Sequence, residues 1–196
     1  LTGLRREFAL LHSADIERAF LFGEKGETTV SSKAKRYTGG ILEFIESGGS
    51  YIQDQDGPIT RTDLGLFLRE GFTYGSGQKM LFCGGILLNA ISEIAAGQLQ
   101  TKMGDSSYGV AIKQWIAPQG IVNIVQHPML INDYAGYGFL LDMNSFRYRY
   151  AKGRDTSLRT NIQANDVDGE VDEYLTECGL ERKLAANCAL IKGITD

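Results

Sequence analysis

Few residues in this 196-residue chain have the type and spacing that chemistry requires. There are two histidines, His12 and His127, and no HExxH pair, so the helical zinc-protease arrangement is absent. A triad assembled around His127 would lack a GxSxG elbow, and His127 is followed by Pro128; a structural or surface histidine is the simpler reading. Gly84-Gly85 sits between an apolar strand pattern and a helix pattern, where a helix start presents free N–H groups to a phosphate. It lacks both GxGxxG and GxxxxGK[ST], and a tight strand-to-helix turn that needs glycine is the simpler reading. In Asn165-Asp166-Val167-Asp168-Gly169, aligning Gly169 with a calcium loop's glycine puts Ala164 first and Leu175 last, where a carboxylate is needed. That reading is rejected, and Asp54, Asp56 and Gly57 read as an exposed turn.

Two further stretches carry charge or rings. Phe146-Arg147-Tyr148-Arg149-Tyr150 has the aromatic and cationic groups that stack bases and bind phosphates. The alternative is a strand whose aromatic face fills a core while its arginines meet carboxylates. Asp166 to Glu181 holds seven acidic residues and no basic one. It reads as a solvated, charge-guarded edge or as a contact surface for basic residues on a partner. No constellation supplies nucleophile, base and stabiliser together.

The composition agrees. Lys plus Arg total 20 and Asp plus Glu 24, a net charge of −4, which argues against a general nucleic-acid binder. Residues 1–100 and 101–196 each carry 10 basic and 12 acidic residues, so no charged arm separates off. Three cysteines without a CxxC pair exclude a zinc ribbon and a disulfide scaffold and suit a reducing compartment. The apolar runs are too short to span a membrane, and no signal peptide is visible at Leu1. Hydrophobic residues at 43% are enough for a core.

The elements that must position these residues follow from periodicity. Residues 3–22 read as a helix with two apolar strips: Leu4, Phe8, Leu11 and Phe22, interrupted by Asp15, and Ala9, Ile16 and Phe20. Two strips predict packing on two sides. Gly23 is expected to end the helix in a left-handed conformation. Residues 24–36 read as a loop or short hairpin, 37–45 as a short helix or buried turn, and 46–59 as an exposed loop. Thr60 with Asp63 forms a capping-box start for a helix that buries Leu64, Phe67 and Leu68 and ends at Gly71 or Gly75. A strand over 79–83 leads through Gly84-Gly85 into a helix with Leu87, Ile91 and Ile94, closed by Gly97. From Tyr108 the texture is β: Val110, Ile112, Trp115, a Pro118-Gln119-Gly120 turn, then Ile121, Ile124 and Val125. Strands follow over 137–143 and 146–150, a polar hairpin or loop over 152–173, and strands over 174–184 and 188–194. The sum is an α+β chain.

Three stretches resemble the major capsid proteins of tailed bacteriophages. Asp15-Ile16-Glu17-Arg18-Ala19-Phe20-Leu21-Phe22-Gly23 resembles the end of that family's spine helix. Arg36-Tyr37-Thr38-Gly39-Gly40-Ile41-Leu42-Glu43-Phe44-Ile45 is similar to its R-x-x-G-G-L-x-x-Y/F-I segment. Leu184-Ala185-Ala186-Asn187-Cys188-Ala189-Leu190-Ile191-Lys192-Gly193-Ile194 resembles a closing strand of the type N-P-A-A-H-A-L-I-K-G, with Leu184 in the proline region and Cys188 for the histidine. The resemblance implies the shell fold shared with encapsulins: a spine helix, a long antiparallel peripheral sheet and an inserted axial domain. On this chain the peripheral domain would be 1–55 plus 140–196 and the axial domain 56–139. The family's N-terminal arm and extended loop precede the spine helix, so both are expected to lie outside this chain.

The same resemblance implies a non-enzymatic subunit without cofactor or metal. Its partners are other copies, in pentamers and hexamers, with scaffolding and portal proteins and weak, non-specific contact with packaged double-stranded DNA. Its place is the virion capsid, assembled in the bacterial host cytoplasm, in a phage or prophage; an encapsulin-like compartment fits the motifs less well. The expected subunit-interface residues are Ile16 and Phe20 on the helix, and Arg154, Asp155, Arg159, Asp166 and Asp168 in charged loops. The rival from another class is a small nucleotide- or sugar-binding enzyme using the Gly84-Gly85 helix start.

Overall fold

A computed structural model describes residues 2–94, 113–166 and 168–195. The expected helix closure at Gly97 and the strand residues Val110 and Ile112 lie outside these. The chain divides into two compact units, one of residues 1–43 and 147–181, the other of 44–146 and 182–196. The expected boundary near 55 falls within a strand, Tyr51–Gly57, and that near 139 within another, Gly138–Leu141.

The first unit opens with helix α1, Thr2–Phe22. At 1.5 Å per residue it is roughly 30 Å long. A hairpin follows, β1 (Gly26–Val30) against β2 (Lys33–Tyr37), exposed on both faces. Gly23 does end the helix, but not with a positive φ. Its role is close approach. A Cβ there would lie 2.4 Å from the Ala19 carbonyl oxygen and 2.8 Å from that of Thr38. Gly40 meets the same crossing from the other side, donating its N–H to the Gly23 carbonyl. The two glycines thus pin the base of the hairpin under the helix end.

Two small antiparallel pairs complete this unit. The strand Phe146–Tyr150 (β8) pairs with Cys178–Arg182 (β11), and Ser157–Arg159 (β9) with Glu173–Leu175 (β10). The expected long antiparallel sheet is therefore two-stranded at each place among the described residues. Residues 147–150 are exposed throughout, so the aromatic side of β8 does not fill a core as expected.

The second unit holds the core. Its sheet runs β3 (Tyr51–Gly57), β12 (Ala189–Ile194), β7 (Gly138–Leu141), β4 (Gln78–Cys83), β6 (Gly120–Gln126), β5 (Lys113–Ala117). It is mixed rather than antiparallel: β12 runs parallel to β3, and β4 parallel to β6. The closing strand β12 sits inside this sheet because Ala189, Leu190 and Ile191 are apolar on both faces, as an interior strand requires. The segment expected as an exposed loop over 46–59 instead contains β3, recruited by β12. Its own polar alternation, Tyr-Ile-Gln-Asp-Gln-Asp, hides that role, as it suits an edge strand with one wet face.

Helix α2 (Ile41–Ser47) leads into this unit's first strand. Helix α3 (Arg61–Gly71) starts as read from the sequence: Asp63 N–H donates to Thr60 Oγ1, and Thr60 N–H donates to the Asp63 carboxylate. Leu64, Phe67 and Leu68 are buried. Helix α4 (Gly85–Ile94) buries Leu87 and Ile91. These join Leu81, Ile124, Leu140 and Ile191 in one cluster. Each such side chain stabilises the fold by about 1.5–3 kcal/mol through area removed from water.

Candidate functional site

Helix α1 presents the feature that demands a function. Arg5, Ala9, His12, Ile16, Ala19 and Phe20, at helical spacing, are half-buried. Arg5 Nε is 2.8 Å from the Asp172 carboxylate, and the Tyr174 hydroxyl donates to the Arg5 carbonyl at 2.9 Å. His12 Nε2 lies 2.7 Å from Thr176 Oγ1, and its ring stacks on Tyr174. Phe20 meets Tyr148 edge-on at 6.0 Å. So the strip containing Ala9, Ile16 and Phe20 is the one that packs on its own unit. The other strip is left in solvent: Leu4, Phe8 and Leu11 are 55–59% exposed and the adjoining Leu10 65%.

An apolar stripe of this kind on a helix needs cover. It continues into a cleft of about 290 Å³ bounded by Leu4, Phe8, Leu158, Val171 and Tyr174, with the Arg5–Asp172 pair at its edge. A shallower groove along Leu10, Ala14, Ile16 and Phe20 runs further down the helix. Among the described residues, most large exposed apolar side chains belong to this first unit, while the buried cluster belongs to the second.

The acidic run is largely neutralised from within. Asp172 takes Arg5, Glu173 takes Arg159, Glu177 takes Arg154 and Glu181 takes Arg149. Arg154 and Arg159 are thus engaged in their own unit. Asp155 accepts from the Tyr148 hydroxyl at 2.8 Å and from the Thr156 N–H. Asp166 and Asp168 are exposed and have no ion pair among the described residues. The structure does not gather the five loop residues into one cluster. Desolvation, and then the hydrogen bond to Asp155, raise the Tyr148 phenol above its ordinary value. Partial burial likewise raises the Cys178 thiol, which favours the protonated, unreactive form.

The Gly84-Gly85 junction is filled. The Ala135 carbonyl accepts from the N–H groups of Ile86 and Leu87 at 3.2 and 3.4 Å, and a Cβ on Gly84 would lie 2.2 Å from that oxygen. The protein's own backbone occupies the place a phosphate would need. His127 is buried, its Nδ1 accepting from the Met129 N–H while its ring meets Phe82 edge-on. Among the described residues no three His, Cys, Asp or Glu side chains are grouped to hold a metal. No described helix is long and apolar enough to cross a membrane.

A family model described as SU10 major capsid protein matches residues 9–195, from the first third of α1 to the end of β12. The chain belongs to the SU10 major capsid protein family. The major capsid protein of Pseudomonas phage PaMx41 is 20% identical over 99% of this chain. The chain spans about half the length, 53%, of that curated relative. The family carries a structural role, which agrees with the filled Gly84-Gly85 junction and weighs against the nucleotide- or sugar-binding alternative.

One arrangement had no counterpart in the sequence reading. Lys79 is 1% exposed, yet its ammonium donates to the carbonyls of Gly71, Tyr74 and Asn187 at 2.6, 2.7 and 2.6 Å. Burial pushes its pKa down, while Cys188 and Asp142 pull it back up. Asp142 is itself buried; desolvation alone would raise its carboxyl, but the Ser76 and Asn144 N–H donors outweigh that and hold it low. The only local signal is a lysine at the head of an apolar strand, which ordinarily marks an exposed edge.

Proposed function

We propose that this chain is the shell-building part of a phage or prophage capsid subunit, which assembles with its own copies into an icosahedral shell around double-stranded DNA. In this reading α1 is the spine helix. The unit of residues 1–43 and 147–181 takes the peripheral role, and that of 44–146 and 182–196 the axial role, facing the five- and six-fold axes of pentamers and hexamers. The subunit acts by contact and not by catalysis, in the virion capsid, with assembly in the host cytoplasm alongside scaffolding and portal proteins. Contact with packaged DNA is weak and non-specific, in keeping with the net charge of −4.

The observation that carries the reading is the exposed Leu4, Phe8, Leu11 strip on a helix whose opposite side is already packed. An extended loop or arm from a neighbouring copy covers it. Ile16, Phe20 and the loops bearing Arg154, Asp155, Arg159, Asp166 and Asp168 border the same contacts. Exposed ion pairs there are each worth about 0–1 kcal/mol, but a shell repeats them many times.

The test is mass by light scattering with negative-stain imaging, on this chain and on the intact gene product. Shells or rings from the intact product are the expected result. Monomers from both, across salt and scaffold conditions, overturn the reading.

A further inference from the structure

The β1–β2 hairpin has two unlike faces. Partners across the ladder lie on the same side, so Thr28 with Lys35 and Val30 with Lys33 share one face, and Glu27 with Arg36 shares the other. On the second face the charges cancel, with Arg36 Nε 3.0 Å from the Glu27 carboxylate. On the first face there is no carboxylate. Lys33 has no ion pair among the described residues, and Lys35 meets no carboxylate but the neighbouring Tyr37, hydrogen-bonding to it and lying over its ring at 5.2 Å. Both strands are exposed along their whole length. A lone two-stranded ribbon is marginal in water, so such a hairpin gains its stability from something laid against it. Its base is fixed by the Gly23–Gly40 contact and by the Leu180 N–H donating to Thr38 Oγ1, so the lysine face is presented in one direction.

The same unit carries the complementary charge. Of the seven carboxylates between Asp166 and Glu181, the last four are each taken by an arginine of their own chain. The first three, Asp166, Asp168 and Glu170, are exposed without a cation among the described residues. We infer that the Lys33/Lys35 face of one copy docks on the Asp166, Asp168 and Glu170 surface of a second copy. This rests on the shell-subunit reading and names one contact within it. The two patches differ, so the contact is heterologous and runs head to tail, the kind that closes into rings. DNA is the other polyanion available to the hairpin, but two lysines on one small face are few for a phosphate track, and the free carboxylates would remain unmatched.

The experiment is a charge swap in the intact gene product. One variant carries Lys33→Glu and Lys35→Glu, the other Asp166→Lys, Asp168→Lys and Glu170→Lys. All five positions are exposed, and unchanged thermal melts confirm that each variant folds. Each alone should need at least about tenfold more protein to assemble, and the two mixed should co-assemble near the wild-type concentration. Wild-type assembly should weaken as salt rises, since exposed pairs are screened over about 8–10 Å. If wild type assembles and both variants assemble alone equally well, the contact is wrong while the capsid reading stands. If the hairpin variant assembles normally but its shells lose DNA retention, the hairpin faces DNA and the inference falls. If wild type does not assemble at all, the capsid reading fails and takes this contact with it.

Discussion

The Lys79 ammonium lies 2.6 Å from the Asn187 carbonyl oxygen, across 108 residues of chain. Its two other protons go to carbonyls at the end of α3 and in the turn after it. One buried cation therefore ties the helix end, the following turn and the lead-in to β12 together.

Replacing Lys79 by Met keeps the length and removes the donors. Three carbonyl oxygens then lose their partner, that of Gly71 at a buried contact and those of Tyr74 and Asn187 at part-buried ones; an unsatisfied buried acceptor costs about 1–3 kcal/mol. The expected loss is about 3 kcal/mol or more of unfolding free energy, read from urea midpoints. A change under about 1 kcal/mol would show that the ammonium is dispensable.

Acid should act through Asp142 and Asp63. Both have folded pKa values below the ordinary 3.8, Asp142 through backbone N–H donors that outweigh its desolvation, and Asp63 through the Thr60 hydroxyl and N–H. A depressed carboxyl contributes stability that is fully present above its unfolded pKa and is lost as pH falls through the folded one. Stability should therefore hold steady down to about pH 4 and fall below it. Asp142→Asn, measured by urea midpoints between pH 6 and 3, should flatten that fall.

Gly40→Ala should destabilise the first unit by about 1–3 kcal/mol, because the new methyl meets backbone and not a yielding side chain. A Cβ there lies 2.6 Å from the Gly23 nitrogen and 2.7 Å from the Leu21 oxygen. Hydrogen exchange localises the effect: amides of β1 and β2 should lose protection first. An unchanged exchange pattern would contradict the pinned-base account.

Leu4→Glu with Phe8→Glu should leave the isolated subunit's melting within about 0.5 kcal/mol of wild type, since both side chains are already in water. In the intact product the same pair should abolish or sharply reduce shell formation. Normal shells from this variant would mean that the exposed strip of α1 is not an assembly surface.

Phosphate and nucleotides should not shift the thermal midpoint through Gly84-Gly85, where Ala135 already accepts from the helix start. A saturable rise in midpoint, lost in Gly84→Ala, would revive the ligand-binding alternative.

Local features were legible in the sequence where local physics decides them. The length of α1, the capping box at Thr60 and Asp63, the buried face of α3 and a strand over 79–83, observed as Gln78–Cys83, follow from periodicity and short-range hydrogen bonding. The motif order that resembles phage capsid proteins was legible too, and the family match over residues 9–195 agrees with it. What needed tertiary structure were choices between partners distant in sequence. The polar strand β3 exists because β12 pairs with it from 132 residues or more away, and no local pattern encodes that. Which of α1's two apolar strips is packed depended on where Asp172, Tyr174 and Thr176 arrive. The acidic run looked unpaired because its four arginines come from other segments, and the burial of Lys79 was not legible because its three carbonyls converge only in the folded chain. Local propensity is set by a residue's neighbours in the chain, whereas burial and charge pairing are set by its neighbours in space.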